Sequence, residues 1–108
     1  MVELVQYETK DGACPLAEWF DGLDVQAALK VRTALARMEL GNFGDVKSVG
    51  KGVSERRIDF GPGFRIYFGQ EGRKLVVLLV GGTKKRQQRD VEQAKAYWTD
   101  YKRRKKEK

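Results

Sequence analysis

The chain contains no histidine, and that absence excludes more chemistry than any motif in it supplies. Histidine-ligated metal sites, imidazole acid–base catalysis and nucleophiles activated by a histidine are all closed to it. The one cysteine, Cys14, excludes an internal disulfide. With no histidine to activate it and a proline directly after it, Cys14 reads as incidental rather than nucleophilic. Carboxylates do not cluster at ligand spacing, so neither a metal nor a small-molecule cofactor is expected. The longest apolar run, Leu75 to Val80, is six residues, far short of the roughly 18 that cross a bilayer. The first residues (MVELVQYETKDG) lack the basic region and apolar run of a secretory signal. These features predict a cytoplasmic protein with no membrane partner.

What is present is charge, unevenly spread. Of 108 residues, 34% are charged and the formal net charge is +7. Residues 1–46 carry four basic and eight acidic side chains, whereas residues 47–108 carry 18 basic and 7 acidic. Part of the excess lies in Lys102-Arg103-Arg104-Lys105-Lys106-Glu107-Lys108; the rest falls between Lys47 and Tyr101, inside apparently folded sequence. Such asymmetry points to a polyanion, most simply nucleic acid, facing the C-terminal half. At 41% hydrophobic, the chain can build one core. The expected organisation is a single domain over residues 1–101 and a basic tail over 102–108, which lacks apolar anchors and is predicted to fray.

Periodicity supplies the elements. Val2 to Tyr7 mixes β-branched and aromatic residues before the turn signal Lys10-Asp11-Gly12 and predicts a strand. Pro15 suits the first position of a short helix running to about Leu23, with Leu16, Trp19, Phe20 and Leu23 on one face. Asp24 is placed to cap a second helix, whose stripe is Ala28, Val31, Leu35 and Met38 and whose stop is Gly41-Asn42. Val53 to Phe60 and Phe64 to Phe68 alternate around the turn Gly61-Pro62-Gly63 and predict a hairpin. Its expected register sets Phe60 opposite Phe64 and Ile58 opposite Ile66. One face is then apolar, and the other carries Arg57, Asp59, Arg65 and Tyr67.

Leu75 to Val80 is apolar at every position, which suits a central strand covered on both faces, between the hairpin and the first strand. Gly81-Gly82 is expected to break it. A last helix from about Arg86 or Gln87 to Tyr101 shows Val91, Ala94, Trp98 and Tyr101 on one stripe. The order is β-α-α-β-β-β-α, an α+β fold with a small, mainly antiparallel sheet and helices packed on one side.

Arg57 and Arg65 share a hairpin face, and Lys84 and Lys85 follow the neighbouring strand. Together they predict a cationic patch, with Tyr67 available for stacking or hydrogen bonding. In Gly81-Gly82-Thr83-Lys84-Lys85, the lysines, a hydroxyl and free helix N–H groups could converge on a phosphate. Such a patch suits RNA, and it also suits the extra negative charge of a phosphorane-like transition state.

Two runs are specific enough to indicate a family: Glu55-Arg56-Arg57-Ile58-Asp59-Phe60-Gly61-Pro62-Gly63-Phe64-Arg65-Ile66-Tyr67-Phe68, and Leu78-Leu79-Val80-Gly81-Gly82-Thr83-Lys84-Lys85-Arg86-Gln87-Gln88-Arg89-Asp90-Val91. With Cys14-Pro15-Leu16-Ala17-Glu18-Trp19-Phe20 and Ala94-Lys95-Ala96-Tyr97-Trp98, they closely resemble the RelE/ParE superfamily of type II toxins, in its HigB-like branch of addiction module killer proteins. The resemblance covers nearly the whole chain except the basic tail. It implies the same element order. It also implies a ribosome-dependent, metal-independent messenger RNA endonuclease, neutralised by a cognate helix-turn-helix antitoxin, with the ribosome and messenger RNA as partners.

Carried over residue by residue, the resemblance matches Arg65 to the arginine that contacts the scissile phosphate, Arg57 to a basic residue of the preceding strand, and Lys84 or Lys85 to one after the last strand. Arg56, Arg86, Gln88 and Arg89, in or beside these motifs, are expected to contact nucleic acid. The best-known relatives carry a tyrosine or histidine near the start of the last helix, where this chain reads Gln87-Gln88-Arg89-Asp90. Tyr67 as acid or stacking group and Asp90 as base are the substitutes the chain offers. The alternatives are a ParE-like gyrase poison without nuclease chemistry, and an inactive nucleic-acid-binding relative.

Overall fold

A computed structural model describes residues 1–107. It is an α+β fold with a five-stranded mixed sheet and three helices. The strands are β1 (Glu3–Gln6), β2 (Val46–Gly50), β3 (Val53–Ile58), β4 (Phe64–Glu71) and β5 (Leu75–Thr83); the helices are α1 (Pro15–Asp21), α2 (Val25–Glu39) and α3 (Gln87–Lys106). Spatial order is β1-β5-β4-β3-β2, with β1 parallel to β5 and every other pair antiparallel. The all-apolar run therefore lies where the sequence places it, between the hairpin and the first strand. No described helix is long and apolar enough to cross a membrane.

The local signals act as their chemistry dictates. Pro15 opens α1, and the Asp24 carboxylate accepts from the Ala27 N–H at 2.8 Å to cap α2. The α2 stripe is rotated slightly from the expected one: Ala27, Val31, Ala34 and Met38 are buried, while Ala28 and Leu35 lie at its margin. Beyond Leu40 the chain leaves the helix through Gly41, whose φ of 89° only glycine adopts readily.

Several expectations change. The strand β2 is additional. Its sequence, Val-Lys-Ser-Val-Gly, is mostly exposed, so it lacks the apolar alternation that reveals a half-buried strand. The hairpin register is two residues away from the expected one, with Ile58 opposite Phe64 and Arg57 opposite Arg65. The connection is longer than a tight turn, because Asp59 to Gly63 all lie outside the ladder. A shift by two keeps both faces. Gly81 and Gly82 do not end β5, which runs through both to Thr83. They are glycines because side chains cross them: a Cβ on Gly81 would enter the Trp19 ring, and one on Gly82 would enter the Asp90 carboxylate.

Helices cover both faces of the sheet, not one. On the first, α1 and α2 bury Leu16, Val31 and Met38 against Ile58, Phe64, Ile66, Phe68, Val76 and Leu78. On the second, α3 packs Ala94 and Trp98 against Tyr7, Val53, Tyr67, Val77 and Leu79. Successive residues of β4 and β5 feed opposite layers, as a period of two requires, except at the irregularity opposite Tyr67 and Phe68, where Leu79 and Val80 both join the second layer. The polar hairpin face is thus the face that α3 partly covers, and only one end of it remains open.

The basic segment after Tyr101 does not fray. Helix α3 continues to Lys106 because its side chains find partners on the sheet. Lys105 pairs with Glu71 at 2.7 Å, Tyr101 donates to Glu71 at 2.8 Å, and Arg104 pairs with Asp100 at 2.9 Å. The Tyr7 hydroxyl donates to Asp100 at 2.6 Å, and its ring stacks on Tyr97. Tyr7 and Tyr101 are each pushed up to about 12, first by burial and then by hydrogen bonds to these carboxylates. A tyrosine whose folded pKa is raised stabilises the fold fully below its unfolded value near 10 and loses that contribution as pH climbs through its folded one. Urea midpoints are accordingly expected to fall between about pH 10 and 12, and replacing Tyr7 and Tyr101 together with phenylalanine should flatten that alkaline slope.

Candidate nucleic-acid interface

The site grows out of two neighbouring rungs on the second face of the sheet. One rung is Arg57–Arg65–Gly82, across β3, β4 and β5; the next is Glu55–Tyr67–Val80. Because side chains repeat every second residue, both rungs point toward α3. Its first turn seals the inner rung: Gln87 Nε2 donates to Glu55 Oε2 at 2.8 Å, and Asp90 lies against Gly82. The Arg57–Arg65 rung lies at the margin of this cover and opens onto solvent.

There the chain forms a cleft of about 360 Å³ whose polar lining is Asp45, Arg57, Asp59, Arg65 and Lys84, with Gly63 between them. Arg65 is held tightly, its side chain only 9% exposed. One Nη donates to the Gly63 carbonyl at 2.8 Å, and Nε faces Glu55 Oε2 at 3.5 Å. The Lys84 N–H donates to the same Gly63 carbonyl at 2.9 Å, which seats Lys84 beside Arg65. Arg57 is looser, with 40% of its side chain exposed, and it pairs with Asp45 at 2.9 Å. That contact holds the Asp45 carboxyl below the usual carboxylate range and raises Arg57 further.

Arg57, Arg65 and Lys84 are therefore brought together as the sequence predicts, but the other nominated residues divide. Tyr67 is wholly buried under α3, so its ring offers no face to a base. Its hydroxyl is hard to ionise, first because of burial and then because Glu55 is close. Its expected stacking role is corrected by the position of α3, which the one-sided arrangement left elsewhere. Arg56 points to the opposite face, where it is buried beneath the loop at Gly44 and donates to the Arg57 carbonyl. Burial lowers its pKa, and it has no path to the cleft.

Lys85 and Arg86 are exposed on a 3₁₀ turn (Lys84–Arg86), and Gln88 and Arg89 on the first turn of α3. None of the four lines the cleft. Gln88 instead borders a separate groove of about 430 Å³ with Lys47, Val91, Glu92 and Lys95. The expected phosphate loop at Gly81–Lys85 is mostly strand, so its two glycines present no free turn. Asp90 is half-buried, with its Oδ2 enclosed against Gly82 and unpartnered, and burial raises its pKa. A carboxyl enclosed there does not reach the cleft as a base. Among the described residues, no three His, Cys, Asp or Glu side chains gather to hold a metal ion.

Two guanidinium groups and an ammonium around one opening can donate charge-assisted hydrogen bonds to a phosphate and stabilise added negative charge on it. Asp45 is the internal competitor for Arg57. In Asp45→Asn the competitor is neutral, so binding of a short RNA at low salt is expected to tighten a few-fold, with a steeper loss as salt rises. Filter binding across a salt series checks this. Sequence reasoning had no route to Asp45, because it precedes a strand that leaves no apolar pattern. Glu55, two residues before Arg57, falls on the polar hairpin face by the period of two, but with that face open its burial could not be foreseen.

No family model matches the chain. A protein of Haemophilus influenzae described only as uncharacterized is 44% identical to it over 78 residues, covering 71% of this chain and 79% of that protein.

Proposed function

The chain belongs to the same family as that uncharacterized Haemophilus influenzae protein, and from the resemblance of its motifs and the geometry of the cleft we propose that it is the toxin of a type II toxin–antitoxin pair, a ribosome-dependent messenger RNA endonuclease. The observation that carries this reading is the meeting of Arg57, Arg65 and Lys84 around one cleft. The resemblance to RelE/ParE toxins matches Arg65 to the arginine that contacts the scissile phosphate, Arg57 to a basic residue of the preceding strand, and either Lys84 or Lys85 to one after the last strand. The net positive charge of the second half supports the same reading. Arg65 grips the scissile phosphate, and Arg57 and Lys84 neutralise the charge that builds as the 2′-oxygen, losing its proton to solvent, bonds to phosphorus and the P–O5′ bond breaks. The products are a 2′,3′-cyclic phosphate and a 5′-hydroxyl that takes its proton from solvent, and no metal enters the step. A helix-turn-helix antitoxin would act by covering the cleft.

One observation favours the gyrase-poison alternative. Of the two cleft carboxylates, Asp45 is occupied by Arg57 and held below its usual range, which leaves the exposed Asp59, while Tyr67 and the Oδ2 of Asp90 are enclosed. A proton acceptor is therefore the scarcest part of the site.

Inducing the chain in bacteria without antitoxin, while mapping messenger RNA 5′ ends, separates the readings. Growth arrest with new in-frame cuts is the expected result. Arrest with intact transcripts and a DNA-damage response would move the protein to gyrase. Normal growth with soluble protein would make it an inactive RNA-binding relative.

A further inference from the structure

Glu55 is wholly buried in the middle of the sheet, a position that a carboxylate hardly ever takes without a partner. Its Oε2 accepts from Gln87 and faces Arg65 Nε, while Oε1 has no hydrogen-bond partner. Directly across the ladder lies Tyr67, whose buried hydroxyl also has none. Burying an ion pair contributes little net stability, and an apolar residue could fill the space. The third member of the rung, Val80, is one. The carboxylate is therefore not explained by packing.

The geometry of Arg65 supplies a reason. A guanidinium is a rigid plane with donors in fixed directions. Two anchors at different edges of that plane determine its orientation, and Arg65 has two: a hydrogen bond from one Nη to the Gly63 carbonyl and, at Nε, a 3.5 Å ion pair with the Glu55 carboxylate that falls short of a hydrogen bond. Both lie on the protein side of the group, which leaves its remaining donors toward the cleft.

We propose that Glu55 is a positioning residue, which orients the Arg65 guanidinium toward the cleft from behind. The proposal rests on the reading of that cleft as the phosphate site. Glu55 touches no substrate; it acts through Arg65.

The test is the side-chain Nε–H resonance of Arg65 in the full chain, assigned by its absence in Arg65→Lys. In the wild-type chain this proton is expected to give a resolved signal that exchanges slowly with solvent. In Glu55→Gln, with an unchanged amide spectrum and melting temperature, the signal is expected to collapse into fast exchange. Ribosome-dependent cleavage should fall on the order of 10- to 100-fold, the scale of a misplaced catalytic group. A wild-type Nε–H that exchanges like free arginine would overturn the proposal, and this measurement stands even where Glu55→Gln fails to fold. So would a Glu55→Gln chain that keeps both the slow signal and full cleavage. If the wild-type chain cuts no RNA, the change of the resonance between wild type and Glu55→Gln still reports whether Glu55 holds Arg65, so loss of the nuclease reading and loss of the positioning role are seen separately.

Discussion

Cells expressing the Arg65→Ala chain without antitoxin are expected to grow normally and to show no new messenger RNA ends, whereas the wild-type chain arrests them. Removing a donor aimed at developing charge lowers rates by about 10²- to 10³-fold, or roughly 2–4 kcal/mol of transition-state stabilisation. Arg65 is the most deeply set of the three cleft cations, so its effect should exceed that of Arg57→Ala or Lys84→Ala, which are more exposed. Alanine also leaves the Glu55 carboxylate without its cation, a change that can destabilise a fold by several kcal/mol. Arg65→Lys separates the two effects. Lysine keeps the charge beside Glu55 but loses the planar fork, so it should restore melting temperature without restoring cleavage. Arrest that persists in a folded Arg65→Ala chain would remove Arg65 from the chemistry.

The same residues explain what the sequence could disclose. Phe64, Ile66 and Phe68 alternate with Arg65 and Tyr67, and a period of two survives a register shift of two. The division into an apolar and a polar hairpin face was therefore legible, whereas the pairs were not. Register depends on how many residues the connection takes out of the ladder, and Gly61-Pro62-Gly63 fixes the turn without counting Asp59 and Phe60. Convergence of Arg57, Arg65 and Lys84 needed only the faces and the order of strands.

What stayed hidden follows from the side on which α3 packs. Leu75 to Val80 already carried the signal, since a strand apolar at every position must be covered on both faces. Helices on one side are inconsistent with that run, and the structure resolves the conflict by sending α3 across the polar hairpin face. Once α3 lies there, Tyr67 changes from an open ring to a buried one and Glu55 from a surface acid to a buried one. The basic residues after Tyr101 were equally ambiguous: Asp100 stands at helical spacing from Arg103 and Arg104, but Glu71, the partner of Lys105, is set by the tertiary fold and leaves no local pattern.

Trp98→Ala is expected to cost the fold about 3–5 kcal/mol, the range for truncating a large buried aromatic. The indole is 4% exposed and forms the centre of the layer between α3 and the sheet. It stacks on Tyr101 with ring centroids 5.3 Å apart and lies flat against Gly69, where any Cβ would enter the ring. Truncation leaves a void that neither strand can close, since Gly69 has no side chain to move into it. A domain of this size holds roughly 5–15 kcal/mol in total, so this one change removes a large fraction. The urea midpoint should fall sharply with little change in slope. The loss should also reach the cleft, because the helix that Trp98 anchors presents Gln87 to Glu55 and so stands behind Arg65. If Trp98→Ala lowers stability by less than about 1 kcal/mol, below the range for such a truncation, then α3 is held by the polar contacts of Tyr101 and Lys105 to Glu71 and of Asp100 to Tyr7, and Arg65 should keep its orientation without the indole.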